Sequence, residues 1–158
     1  MKMPAFVQQI DTKLVPVFAG LPHIPASVRN FLVSIAPWVS VISGALGVLG
    51  IAAALNVGLF TNMMFGGFVM MHGFAVLGPL MILSLIANGI GAVLELLAFT
   101  PLSRQHKSGW DLVFASSLLS VLSLVFVLLM SSASLVGGLI GLFIRFWLLY
   151  EVRSSYRV

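Results

Sequence analysis

The stretch GFAVLGPLMILSLIANGIGAVLELLAF, Gly73 to Phe99, decides the fold class. It runs for 27 residues with one charge, Glu95. A bilayer core is about 30 Å thick and needs roughly 20 apolar residues to cross as a helix. This stretch meets that requirement with residues to spare. Two later segments do the same. Leu112 to Met130 has no charge, and Leu135 to Tyr150 holds only Arg145, reaching spanning length with Glu151 and Val152. Upstream, Val28 to Leu55 has no charge after Arg29 and is divided by Pro37. Its crossing part is read as Pro37 to Val57, with Val28 to Ala36 as a helical lead-in and Trp38 as an interfacial anchor. The expectation is four spans.

Composition agrees. The 158-residue chain is 60% hydrophobic and 8% charged, against about 25% charged in soluble domains. Its mean hydropathy is +1.15. A soluble chain of this size must cover itself with polar groups, so the excess apolar surface has to face lipid. The absence of cysteine excludes disulfides, thiolate metal sites, a cysteine nucleophile and c-type haem attachment. A net charge of +4 does not point to nucleic acid, because the cations are dispersed at the ends of apolar segments.

Those cations orient the chain. Lys2, Lys13 and Arg29 precede the first span, Arg104 and Lys107 join the second to the third, and Arg153 and Arg157 follow the fourth. The connectors Asn56 to His72 and Ser131 to Ser134 carry no charge. With four spans, all seven connector and terminal cations fall on one side. The positive-inside rule then puts both termini in the cytoplasm. Three or five spans would destroy the asymmetry.

The N-terminal segment, residues 1–27, reads as a cytoplasmic amphipathic piece ahead of a transmembrane domain over 28–158. It is not a signal peptide, since Asp11 and Lys13 interrupt any apolar run. Phe6, Val7, Ile10, Leu14, Val17 and Phe18 recur at helical spacing, opposite Gln8, Gln9, Thr12 and Lys13. This predicts a short helix in the membrane interface. Leu21-Pro22-His23-Ile24-Pro25 breaks it, and Ser27 is the expected N-cap of the next helix. Thr100-Pro101 is read as the end of the second span, and Ser108 as the cap of the third, with Asp111 in its first turn.

Within the spans, the polar residues are informative. Ser84, Asn88, Gly91 and Glu95 are spaced 4, 3 and 4, on one helical face. Gly137, Gly141 and Arg145 are spaced 4 and 4 on the fourth span. Glu95 and Arg145 lie at matching depths. An unpaired charge near the bilayer centre costs about 3 kcal/mol, and such residues turn inward and pair. The reading predicts a Glu95–Arg145 ion pair between the second and fourth spans. Gly44 and Gly47, in a stripe with Ser40 and Ile51, are expected helix contacts, as are Gly137 and Gly141. Ser116, Ser120 and Ser123 form a similar stripe. Gly44-x-x-Gly47-x-x-Gly50 is not a nucleotide loop, because it lies within an apolar span.

Thr61 to His72 holds four of the eight methionines. Thioether and imidazole suit Cu(I), so Met70, Met71 and His72 are candidate metal ligands, and His72 a candidate axial ligand to a tetrapyrrole. The competing reading is a greasy contact surface, and no bound cofactor is the default expectation. His23 and His106 are read as solvated, and Asp11, Asp111 and Glu151 as interfacial or capping charges. No zinc helix motif, nucleophile elbow, phosphate loop or spaced carboxylate pair is present. The expectation is a protein that is not an enzyme.

The run Pro101-Leu102-Ser103-Arg104-Gln105-His106-Lys107-Ser108-Gly109-Trp110-Asp111-Leu112, followed by Ser116-Ser117-Leu118-Leu119-Ser120 and closed by Leu139-Ile140-Gly141 through Tyr150-Glu151-Val152-Arg153, resembles small uncharacterised bacterial four-span membrane proteins. The resemblance covers the last third of the chain. It implies a four-span protein of a bacterial cytoplasmic membrane and carries no activity with it.

Three functional expectations follow. The first is an accessory or scaffold subunit, packed against other membrane subunits or copies of itself. The second is a small transporter or channel component using Glu95, Arg145 and Asn88. The third is copper or tetrapyrrole binding through Met70, Met71 and His72.

Overall fold

The computed structural model describes residues 4–64, 79–130 and 135–156. All elements among them are helical: α1 (Ala5–Ala19), α2 (Ala26–Met64), α3 (Pro79–Ser103), α4 (Lys107–Met130) and α5 (Leu135–Val152), closed by a 3-10 turn, Arg153–Ser155. Three helical stretches are long and apolar enough to cross a membrane: Ala26–Asn56, Ile82–Ser103 and Lys107–Phe126. This is a membrane protein by length and composition.

Several boundaries differ from the sequence reading. Ser27 is not a cap. Helix α2 begins at Ala26, where the Pro25 carbonyl accepts from the Arg29 N–H at 3.0 Å, and the fixed φ of proline suits the residue before a first turn. Pro37 does not divide α2, which runs through it for 39 residues. The surrounding turns keep their own bonds, so the loss is confined to the one N–H that proline lacks. Nor does the uncharged connector start at Asn56, since Asn56 to Met64 continues the helix. The Asn56 amide folds back onto the Ala52 carbonyl at 2.7 Å, which lets a polar side chain sit inside a helix.

The second span likewise runs past Thr100-Pro101 to Ser103. Its true stop is Gln105, whose φ of 55° is left-handed. The Gln105 and His106 N–H groups donate back to the Leu102 and Pro101 carbonyls, each at 2.9 Å, in the manner of a left-handed helix cap. Ser108 lies inside α4, which starts at Lys107. Gly109 explains the tightness of this turn. A Cβ there would lie 2.6 Å from the Leu102 backbone nitrogen, so no larger residue fits without moving the chain.

Helix α3 is the centre of the bundle, packing most extensively on α4 and then on α2. Ser40, Gly44, Gly47 and Ile51 face it. A Cβ on Gly44 would meet the Ala92 carbonyl at 2.9 Å, one on Gly47 the Ala92 Cβ at 2.9 Å, and Ile51 lies against Gly89. Missing side chains are what let these backbones approach. On the opposite side of α2, Ile42, Leu46 and Leu49 are exposed, the surface that lipid covers.

The core gathers at the end of the bundle bearing the α3–α4 turn. Trp110 and Phe114 are wholly buried there with Ala98, Leu102, Phe146, Leu149 and Val152. The Trp110 and Phe114 rings stack with centroids 5.1 Å apart, and the Trp110 Nε1 donates to the Leu149 carbonyl at 2.8 Å. A buried indole needs such an acceptor. Helix α1 joins this core through Val7, Ile10, Leu14 and Phe18, and the Phe18 and Tyr150 rings stack at 4.8 Å. Phe6 and Val17 stay exposed, so they do not belong to the packed stripe.

Candidate functional site

Polar side chains of α3, α4 and α5 meet around Glu95 and Arg145. Arg145 on α5 donates from Nη2 to Glu95 Oε1 on α3 and to Ser116 Oγ on α4 at 2.6 Å. Its Nε donates to Ser117 Oγ at 2.8 Å. Ser116 Oγ in turn donates to Glu95 Oε1 at 2.7 Å. Glu95 is buried at 6% exposure, whereas the Arg145 side chain is 32% exposed. Charge-assisted hydrogen bonds of this kind are stronger than neutral ones, which matters where water is scarce.

The network extends along both helices. The Asn88 Nδ2 donates to Ser123 Oγ at 2.6 Å and to the Ser84 carbonyl at 2.9 Å. Ser120 Oγ donates to the Ser116 carbonyl at 3.1 Å, and Ser40 Oγ of α2 donates to the Glu95 carbonyl. Ser84 is buried on the same face, and Gly91 lies beside Ser116. The face marked by Ser84, Asn88, Gly91 and Glu95 is thus turned to the serine stripe of α4.

Two cavities meet at this pair. One of about 270 Å³ is walled mainly by apolar side chains of α2, α4 and α5, among them Leu32, Val39, Trp110 and Leu148. Another of about 350 Å³ is lined by Ser43, Gly47, Asn88, Gly91 and Ser120. Glu95, Arg145 and Ser43 border both. The ion pair stands at their junction.

Gly137 and Gly141 are not helix contacts among the described residues. A Cβ at either would meet nothing within 4 Å. The neighbouring Gly138 makes the contact instead, against Leu124 of α4. Gly138 lies seven residues before Arg145, two helical turns away on the face that Arg145 also turns to α4.

A second cluster of charge at the turn end was not anticipated. Asp11, expected at an interface, is buried at 6% exposure. It accepts from Arg153 Nη2 at 2.6 Å and from the Tyr150 hydroxyl at 3.0 Å. Glu151, also buried, accepts from Arg29 Nη2 at 3.1 Å and from the Ile24 N–H at 3.2 Å, and its Oε2 lies 3.0 Å from His23 Nδ1. His23 is therefore a polar partner of Glu151 as well as a solvated side chain, 64% exposed. Arg153 also lies over the Trp110 and Tyr150 rings. The signal for Asp11 was available: 7, 11, 14 and 18 form a helical stripe, so Asp11 shares the face of Val7, Leu14 and Phe18.

Met70, Met71 and His72 lie outside the described residues. Among the described residues, no group of three His, Asp or Glu side chains is placed to hold a metal. No family model matches the chain, and no curated protein or solved structure matches it.

Proposed function

We propose that the chain is a non-enzymatic, four-span protein of a bacterial cytoplasmic membrane that serves as an accessory or scaffold subunit, in a larger assembly or with copies of itself. Helix α5, 18 residues long, supplies the fourth span at about 27 Å, and both termini then lie in the cytoplasm. Residues 1–27 form the cytoplasmic piece, and α1 lies at the interface.

One observation carries the reading. The Arg145 side chain is a third exposed, and Gly137 and Gly141 on the same helix have open space beside them. Lipid tails cannot solvate a guanidinium, and unfilled glycine faces accept a closely approaching helix. A helix from another subunit satisfies both demands. Gentle detergent extraction followed by native mass spectrometry tests this. The reading expects a fixed stoichiometry with a partner or with itself, lost when Gly141 is changed to Leu. A monodisperse single chain under the mildest conditions would contradict it.

A second reading is favoured by the two cavities that meet at Glu95 and Arg145. A small transporter or channel component would use Glu95, Arg145 and Asn88 as the polar steps. It requires flux across liposomes containing the pure protein, abolished by Glu95→Gln. Copper or tetrapyrrole binding through Met70, Met71 and His72 remains a third proposal, read out as stoichiometric metal or colour lost in His72→Ala.

A further inference from the structure

At the turn end of the bundle, α1, the α1–α2 connector, the start of α2 and the end of α5 enclose an open cavity of about 570 Å³. The size lies within the range of small-molecule sites. Its wall combines basic side chains, Arg29, Arg153 and His23, with the rings of Phe18, Trp147 and Tyr150. Glu151 is the one carboxylate in the lining, where it pairs with Arg29, while the partner of Arg153 comes from outside it. Asp11, which pairs with Arg153, is not in the lining.

We propose that this cavity binds the phosphate of an anionic phospholipid, with the glycerol and first acyl carbons against the aromatic wall. The inference rests on α2, α3 and α4 crossing the bilayer and is independent of any scaffold or transport role.

Three features support it. First, the hydrogen-bonding capacity of the cations is not used up. Arg29 gives one nitrogen, Nη2, to Glu151, and Arg153 gives one, Nη2, to Asp11. A guanidinium has five N–H donors, and phosphate oxygens are matched to two of them at once. Second, the Glu151 acceptors are already engaged by Arg29, His23 and the Ile24 N–H, which leaves the carboxylate screened from an incoming anion. Third, the aromatic wall has no role for a free inorganic anion but fits the boundary between headgroup and acyl chain, where Trp and Tyr concentrate. Basic pockets between spans on the cytoplasmic side are the usual seats of anionic headgroups.

The experiment uses the full chain, delipidated in a neutral detergent, with lipid retention read by native mass spectrometry. Phosphatidylglycerol, phosphatidylcholine and inorganic phosphate are offered separately. The expected result is one phosphatidylglycerol per chain, retained at least fivefold better than phosphatidylcholine, with millimolar phosphate failing to displace it. Trp147→Ala should weaken retention of the lipid without disturbing any ion pair. The double change Arg29→Gln with Glu151→Gln removes cation and carboxylate together, so neither charge is orphaned, and should bring the two lipids to equal retention. Equal retention by the unmodified chain would overturn the proposal. Full displacement by inorganic phosphate would overturn the lipid assignment in favour of a free anion. An unchanged preference in both variants would place the lipid elsewhere on the surface and overturn the site.

Discussion

Arg145 and Glu95, 50 residues apart in the chain, form an ion pair that links α5 to α3, and the same guanidinium reaches Ser116 and Ser117 of α4. One side chain therefore ties three helices together at a depth where each would otherwise slide on apolar contacts. Packing alone specifies register weakly in lipid, because tails are as apolar as the helices they would replace. A buried polar network specifies one arrangement.

The turn-end latch should be measurable separately. Asp11 accepts two hydrogen bonds from α5 and the turn after it. Asp11→Asn should cost about 1–3 kcal/mol in thermal unfolding and expose α1 to limited proteolysis near Phe18. Lys13→Gln, on an exposed position of the same helix, should leave both unchanged.

Close approach of α2 to α3 depends on Gly47. With Ala92 Cβ only 2.9 Å from a Cβ placed there, Gly47→Leu should separate the helices and cost about 1–3 kcal/mol as an overpacking change. Gly50, where a Cβ meets nothing within 4 Å, should accept Ala with little change in melting temperature. Similar effects at the two positions would contradict the packing described.

Tyr156 gives a pH signature. Burial pushes its hydroxyl up to about 12 from the usual 10.0, and its Oη has no hydrogen-bond partner among the described residues. The folded state favours the neutral phenol. Stability should hold below pH 10 and fall as pH rises toward 12, because the unfolded chain releases the proton first. Tyr156→Phe should flatten that fall and leave stability at pH 7 unchanged or slightly higher, as read by thermal melts across the range.

The topology is testable with single cysteines, since the chain has none of its own. A cysteine at position 62 should react with an impermeant reagent outside intact cells, and one at position 106 should react only after permeabilisation. The reverse pattern would invert the proposed orientation.

Much of the helical framework was legible from length and hydropathy, because a span must be long and apolar whatever surrounds it. The stripe of Ser40, Gly44, Gly47 and Ile51 was also legible, since helical spacing fixes which residues share a face. Helix ends were not. Pro37 and Pro101 sit inside helices where the sequence suggested boundaries, because tertiary packing outweighs one lost backbone bond. Gly137 and Gly141 meet no described neighbour, because a stripe of small residues does not say which neighbour it meets. Asp11 and Glu151 were read as interfacial or capping charges and His23 as solvated, yet the two carboxylates are buried. Their partners come from the opposite terminus of the chain, and no local pattern announces a contact across 128 or 142 residues.

The most direct test of the account is a double-mutant cycle on thermal stability with Glu95→Gln, Arg145→Gln and both together. Each single change should cost about 2–4 kcal/mol by leaving its partner uncompensated. The combined change should cost less than the two losses added, with a coupling of about 1–3 kcal/mol. Strictly additive losses would show that Glu95 and Arg145 do not act on one another, and the three-helix tie would fail with them.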